Sequence, residues 1–490
     1  MAQQRTSTPA AETAAKRVTG AYAAGSRTAP GPRGNLLLGN AVALQRDPLG
    51  FYTDMAHRYG EVVRTRLLFW PTYLVFHPDG VRHILQEHHQ NYDRNLFLYQ
   101  GLRPFFGEGL ATSSGPSWLQ HRRLMQPAFH RPRLAALGTL MTDAIRDMLT
   151  RWQTTAEQEQ PLEVDQEMLR LTLRMLGQAL FRVDLSDETD AIGQAFTSLL
   201  TLLGEYVYLP FPPLSVLTPR NRRMQTGLRT LNAIVQHLIE ERRKPQTAQH
   251  DLLSLLLEAQ DEESGQGLSD RQVRDEVFTL LFAGHETTAN ALTWALYLLS
   301  HHPAVELLLH EEVDTVLAGQ TPTVEHLSAL PYTRMVLEET LRLYPPGATI
   351  PRRAIAADVI GGFAIPANSL VFITPYVTHR HPDFWKQPEV FDPERFTPER
   401  VAARHRFAYF PFGGGPHLCI GQHFAMMEAQ LVLAMIAQRY RLSLVAGQRI
   451  EPKVMVTIRP CSGVKMTLRR REPMPGSAVR PSVWERRELC

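Results

Sequence analysis

Cysteine is scarce in this chain: Cys419, Cys461 and Cys490 are the only three in 490 residues. An odd number at such wide spacing excludes a disulfide framework and suits a reducing compartment. Long apolar runs are missing as well. No stretch reaches the roughly 18 consecutive apolar residues of a membrane span, and the N-terminus lacks the apolar core of a secretory signal. A cytoplasmic protein is therefore expected. Neither sign of charge dominates, with 52 Lys and Arg against 49 Asp and Glu. A net charge of +3 gives no warrant for nucleic acid as a partner.

What is present is an ordinary globular composition, 44% hydrophobic and 21% charged. Its length exceeds the usual ceiling for one core, so two subdomains or one unusually large domain are expected. Residues 1–29 are rich in Ala, Thr and Ser, with Arg5, Lys16, Arg17 and Arg27 against Glu12 alone. This faintly resembles an organelle transit peptide, but reads better as a disordered tail. Pro30-Gly31-Pro32-Arg33-Gly34 closes it with a rigid turn. The body is placed at 30–468 and a basic C-terminal tail at 469–490.

Along the body, Pro48 to Arg58 reads as a helix, and Glu61 to Leu67 with Thr72 to Phe76 as a hairpin. Asn95 to Gly115 reads as a packed, aromatic-rich loop carrying Phe97, Tyr99, Phe105 and Phe106. Trp118 and Arg122, four apart on a helix opening after Pro116, share one face. Residues 134 to 260 are largely helical, broken at Pro161 and around Leu209-Pro210-Phe211-Pro212-Pro213. Ser269 and Gln272 form a capping box for the longest helical pattern, which meets no proline until Pro303. Ile350 to Ile365, Ser369 to Thr374 and Val454 to Leu468 alternate as strands.

Three places carry chemistry. Phe412-Gly413-Gly414-Gly415-Pro416-His417-Leu418-Cys419-Ile420-Gly421 sets a lone cysteine directly before a helical pattern. A helix N-terminus with cationic neighbours favours thiolate, the form that binds metals. Glycines allow close backbone approach, and Phe412 offers a flat apolar face. Alone, the loop is also compatible with a structural cysteine beside a glycine turn. Ala283-Gly284-His285-Glu286-Thr287-Thr288 interrupts the middle of the long apolar helix with residues of poor helical propensity, a common mark of a functional site. A threonine hydroxyl there can bond back to the i−4 carbonyl and bend the helix. Finally, Glu339 and Arg342 sit three apart on a further helix, a spacing that predicts an ion pair.

Together these stretches resemble the cytochrome P450 family across about residues 30 to 468. The cysteine loop matches F-x-x-G-x-[R/H]-x-C-x-G, the helix centre matches [A/G]-G-x-[D/E]-T-[T/S], and Glu339-x-x-Arg342 is followed by Pro393-Glu394-Arg395-Phe396. The resemblance implies a mainly α fold with small β-sheets, an α+β P450 fold with a long central helix over haem b. It implies Cys419 as axial ligand of the haem iron. Phe412, Gly421 and Ala283 would lie against the cofactor, and Trp118, Arg122, Arg353 and His417 would meet its propionates, although adjacent Arg352 is an alternative to Arg353. Glu286 and Thr287 would be catalytic, relaying protons to bound dioxygen. Glu339, Arg342 and Arg395 would form a structural charge triad. Substrate contacts are placed at Phe97, Phe105, Phe282, Thr279 and Val456.

The activity implied is monooxygenation of a lipophilic small molecule, a fatty acid, terpenoid or similar, by O2. Electrons would come from a separate ferredoxin or flavodoxin and its reductase, and the enzyme would be a monomer. Two alternatives are a hydrogen-peroxide-driven peroxygenase and a non-catalytic haem-thiolate sensor; the intact acid–threonine pair argues against both. No C-x-x-C-H occurs, which speaks against covalent c-type attachment. His417 stands where the family commonly has arginine, and an imidazole titrates near neutrality. Cofactor retention is therefore expected to depend on pH.

Overall fold

The computed structural model describes residues 26–182, 199, 202, 216–244, 251–260, 265 and 267–472. Helix α1, Pro48–Tyr59, starts on Asp47, whose carboxylate accepts from the Gly50 N–H. Strands β1 (Val62–Leu67) and β2 (Trp70–Val75) form the hairpin, with β2 starting earlier than the sequence suggests. Leu68 turns through φ 55°, which tightens the connection and brings Trp70 into a stack on Phe97 at 4.6 Å. A π-helical turn, His83–Glu87, precedes the two-residue strand β3, Tyr92–Asp93.

The segment expected as a loop at 95–115 is in part a helix, α2, spanning Phe97–Phe106. Gly101 and Pro104 argue locally against it, but Phe105 and Phe106 are buried in the main core. Burying two phenylalanines outweighs the helix-breaking residues, since each contributes about 1.5–3 kcal/mol. Helix α3 (Gly115–Met125) follows, then α4 (Gly138–Glu157), the short strand β4 (Leu162–Glu163) and α5 (Val164–Phe181). Helices α6 (Pro219–Arg242) and α7 (Leu252–Glu258) continue the helical half. The proline-rich connection at Leu209–Pro213 lies outside the described residues.

Helix α8, Asp270–His301, runs through the centre. Its capping box is formed: Ser269 accepts from the Gln272 N–H while the Gln272 side chain reaches back to the Ser269 N–H. It is buried on nearly all sides, as a helix must be when α5 packs along it and further helices flank it. Gly284 permits the approach of α5: a Cβ there would lie 3.2 Å from Leu176. Beyond α8 come α9 (Pro303–Leu317) and α10 (Pro331–Leu343).

Strands β5 (Ile350–Ala354), β6 (Asp358–Ile360), β7 (Phe363–Ile365) and β8 (Leu370–Ile373) follow. The largest sheet has the order β1-β2-β8-β5-β3, with β2 and β8 parallel and the other pairs antiparallel. Helix α11, Gln422–Arg439, leaves the cysteine loop and crosses beneath α8 and α10. The chain ends in β9 (Tyr440–Leu444), β10 (Pro452–Val454), β11 (Ile458–Pro460) and β12 (Lys465–Arg470). The fold is thus mainly helical with small mixed sheets around one long buried helix.

The ordered body overruns the expected boundaries at both ends. Arg27 donates its N–H to Gly362 and covers the Phe363 ring at 4.7 Å, and Ala29 is buried. At the other end Arg469 and Arg470 pair with Arg441 and Tyr440 of β9. The remainder of both tails, residues 1–25 and 473–490, and Cys490 with it, lies outside the described residues.

Candidate active site

Between α8 and the cysteine loop lies a cavity of about 380 Å³. One wall is the polar interruption of α8. Ala283, Gly284 and Thr287 are lining residues at which this largely buried helix opens to the cavity. The Thr287 hydroxyl donates to the Ala283 carbonyl at 2.5 Å, the i−4 bond anticipated from sequence.

The opposite wall is Phe412, Gly413, Gly414, His417, Cys419 and Gly421. The loop keeps its shape through a Cys419 N–H to Phe412 carbonyl bond of 3.0 Å. Gly413 and Gly415 take φ of 76° and 64°, and a Cβ on Gly415 would collide with the Leu85 carbonyl. The surface that Cys419 exposes is cavity wall rather than protein exterior. Burial pushes its thiol up, while the N–H groups of Gly421 and Gln422 and the Arg122 charge favour thiolate. Those two N–H groups belong to the start of α11, so the helix end is aimed at the sulfur.

A cationic corner closes one side. Arg94, Arg352 and His417 line it. Trp118 lies on His417 with centroids 3.9 Å apart, and one helical turn on, Arg122 donates to the Leu418 carbonyl at 3.0 Å. His417 is pushed down to about 2 by burial and by the charges of Arg94 and Arg352, so it is a neutral imidazole here. Burial likewise lowers Arg94, to about 10.

Strand parity decides between the two neighbouring arginines of β5, because consecutive side chains face opposite sides. Arg352 is buried and faces the cavity. Arg353 faces away and pairs with Asp93, directly across the β3–β5 register, at 2.6 Å. The assignment of Arg353 to the cavity is therefore corrected to Arg352. Arg94 was missed altogether, since nothing in its sequence context distinguishes it from a surface arginine.

The expected substrate contacts lie outside the cavity. Phe97 stacks on Trp70, Phe105 is fully buried, Phe282 packs edge-on against Phe106 at 4.8 Å, and Thr279 is buried where Gly109 abuts it. Val456 is on the exposed turn between β10 and β11. None of the five lines the cavity. Its apolar lining comes instead from Leu134, Leu137, Leu176, Leu180, Leu280 and Ile350.

Glu286 is buried beside Thr287 but turned from the cavity. Its Oε1 accepts from the Thr457 hydroxyl at 2.7 Å, and burial raises its pKa against that bond and the charge of Arg459. His285 is buried with Nε2 3.0 Å from the Leu169 carbonyl.

The charge triad is formed. Arg342 meets Glu339 through Nε at 2.6 Å and Nη2 at 2.7 Å, both side chains fully buried, and Arg395 Nε lies 3.3 Å from Glu339 Oε1. Arg342 also donates to the carbonyls of His379, Pro388 and Val390, tying α10 to the segment before the cysteine loop.

These features suit a flat, dianionic cofactor with a metal at its centre. The sulfur has its donors, the helix wall is small, and the corner holds buried nitrogens without protein partners, Arg94 Nε and His417 Nδ1. Fold and site together define a haem-thiolate oxygenase.

The chain belongs to the cytochrome P450 family, whose profile (Cytochrome P450) matches residues 29–466. It is 37% identical over 437 residues to cyclooctatin synthase of Streptomyces melanosporofaciens, covering 87% of this chain and 92% of that one. It is 34% identical over 439 residues to pentalenene oxygenase of Streptomyces avermitilis, covering 89% and 96%. Among solved structures, the cytochrome P450DA haem domain superposes with a TM-score of 0.84 at 29% identity, over 91% of this chain and 99% of that one. The protein is accordingly a monooxygenase with a haem-thiolate mechanism. No described helix is long and apolar enough to cross a membrane.

Proposed function

We propose that this enzyme inserts one oxygen atom of O2 into a lipophilic, terpenoid-like substrate, with electrons from a separate ferredoxin or flavodoxin system. The observation that carries the site reading is the placement of Cys419 at the start of α11, facing Thr287 across one apolar cavity. Cys419 would hold haem b, with Phe412, Gly421 and Ala283 against its faces. Arg94, Arg352 and Arg122 would meet the propionate charges, with His417 as a neutral hydrogen-bonding partner seated on Trp118. Buried carboxylates need such paired donors. When bound, the thiolate-ligated haem supplies the dioxygen chemistry, electron donation from sulfur favouring O–O cleavage.

The chain's own part is proton handling and exclusion of water. Thr287 presents its hydroxyl at the cavity wall while bonded to Ala283, so it can exchange that bond for one to a cavity oxygen. Glu286 would resupply the proton. To reach the cavity it would have to leave Thr457. The apolar lining keeps bulk water from the reacting carbon.

The substrate class draws on two lines of support. The cavity wall beyond the cationic corner is aliphatic. One relative is a cyclooctat-9-en-7-ol 5-monooxygenase, 37% identical over 416 residues, whose name specifies a ring alkenol. Cyclic hydrocarbon skeletons with few polar groups fit both better than linear fatty acids, which carry a carboxylate.

A panel of cyclic terpenoid alkenes, alkenols and fatty acids should be titrated into the haem-loaded enzyme while the Soret band is followed. Hits would then be turned over with a surrogate ferredoxin and reductase. Cyclic alkenes or alkenols should shift the band and give hydroxylated products. A panel in which only fatty acids bind and react would overturn the substrate class.

A further inference from the structure

A second set of ligand atoms gathers on the outer side of the cysteine loop. In an α-helix, residues five apart point about 140° from one another, given 3.6 residues per turn. The turn His83–Glu87 is π-helical, closed by a His88 N–H to His83 carbonyl bond of 2.8 Å. Its wider winding carries His88 over His83, and the two imidazoles stack with centroids 4.0 Å apart and planes at 22°. Asp358, the first residue of β6, enters from the sheet, its Oδ2 2.8 Å from His83 Nε2. One ligand atom from each of the three residues lies within 4.8 Å of the others, and no other such trio of His, Cys, Asp or Glu occurs among the described residues.

The carboxylate is set up to remain an anion. Burial opposes its charge, but hydrogen bonds from His83 and Tyr92 outweigh that and hold Asp358 down at about 2. The Tyr92 hydroxyl donates to Oδ2 at 2.7 Å and the Val359 N–H to Oδ1 at 2.7 Å, which fixes the orientation of the group from behind. Outer partners of this type orient metal ligands and sharpen affinity. Isolated π turns are rare and recur at functional sites.

We propose that His83, His88 and Asp358 form a binding site for a borderline divalent cation of the zinc class. Two imidazoles and one carboxylate suit zinc, whereas magnesium and calcium prefer all-oxygen shells. Zinc–ligand bonds of about 2.0–2.1 Å place tetrahedral ligand atoms about 3.4 Å apart. Closing the trio to that spacing is within reach of a side-chain rotation, because His88 is exposed. A solvent water would complete the shell. The site bears on the haem loop through one contact: the Leu85 carbonyl, inside the same turn, is the group against which Gly415 is seated. A cation here would clamp the turn on which the cysteine loop rests.

Zinc chloride is the probe, added to the haem-loaded enzyme in a Cys461→Ser, Cys490→Ser background so that free thiols do not compete. Binding is read by calorimetry and by metal analysis after gel filtration, and the Soret band reports that Cys419 remains engaged. One equivalent should bind, with affinity reduced at least tenfold by His88→Ala and by Asp358→Asn. His88 is exposed, so its replacement leaves the fold intact. Zinc binding that is equally strong in His88→Ala and Asp358→Asn, or no retained equivalent in the parent chain, would overturn the site.

Discussion

The carboxylate of Glu286 is tied to the hydroxyl of Thr457 at 2.7 Å, on the face of α8 away from the cavity that its neighbour Thr287 faces. Consecutive helical residues point about 100° apart, and with Glu286 held by Thr457 only Thr287 of the two lines the cavity. Thr457 in turn accepts from Asn290 at 2.8 Å, which anchors it from a second position on α8.

This arrangement predicts a gated proton donor. Glu286→Gln should lower product formation about 100-fold, the lower end for loss of a general acid, while leaving substrate-induced Soret shifts unchanged. Thr457→Val removes the bond that opposes the upward shift of Glu286. The alkaline limb of turnover assigned to Glu286 should then move to higher pH. Unchanged pH profiles in both variants would remove Glu286 from the relay.

Thr287 carries a separable prediction. Its hydroxyl bonds only locally, to Ala283, so Thr287→Ala should cost less than about 1 kcal/mol of stability. The effect should fall on coupling: oxygen uptake continues while product per electron pair drops several-fold, and Thr287→Ser restores it. Full coupling in the alanine variant would refute the assigned role.

The two arginines of β5 should behave oppositely. Arg353→Ala breaks a half-buried ion pair with Asp93, worth about 1 kcal/mol or less, and should leave cofactor retention unchanged. Arg352→Ala removes a buried cation from the cavity corner and should accelerate haem loss to apomyoglobin about tenfold or more. Equal rates in the two variants would return the assignment to open status.

Much of this was legible in the sequence because it rests on short-range rules. Ser269 and Gln272 announce the start of α8 by capping chemistry, and the Thr287–Ala283 bond is an i−4 contact that sequence spacing contains. Cys419 before α11 is likewise local. What failed was tertiary. Phe97, Phe105 and Phe282 are large and apolar yet lie outside the cavity, because large aromatics fill the core first. Arg352 and Arg353 differ only in strand parity, which is fixed by the pairing of Asp93 with Arg353 across β3 and β5. Arg94 owes its place to the carbonyls of Leu110 and Ser113, contacts that no periodicity encodes.

The buried triad beneath the site predicts a large and one-sided cost. Arg342→Ala would leave Glu339 charged and fully buried, with Arg395 only 3.3 Å away as compensation. Removing one partner of such a pair costs about 3–5 kcal/mol. Arg342 also holds three carbonyls, so the variant should unfold at much lower denaturant concentration and lose haem in parallel. Arg395→Ala should cost clearly less. Equal midpoints for Arg342→Ala and the parent would show the triad to be dispensable.

Glu428, on α11, gives the pH prediction with its sign fixed by burial. Neither carboxyl oxygen has an aligned hydrogen-bond partner, and burial drives the group up to about 8 against the single opposing influence of the Thr288 hydroxyl. In the unfolded chain the same carboxyl titrates near the ordinary glutamate value of about 4.3. A raised acid binds its proton more tightly in the folded state, so its stabilising contribution is complete below that unfolded value. It declines as pH rises towards 8, where the folded group also ionises. Glu428→Gln mimics the protonated form at every pH. The variant should match the parent near pH 4, then gain on it steadily up to about pH 8, by a few kcal/mol at the upper end. Urea midpoints measured at one-unit intervals would read this directly. A gap between the two proteins that stays constant with pH would mean that the carboxyl titrates alike in the folded and unfolded chain, and would refute its burial as an acid.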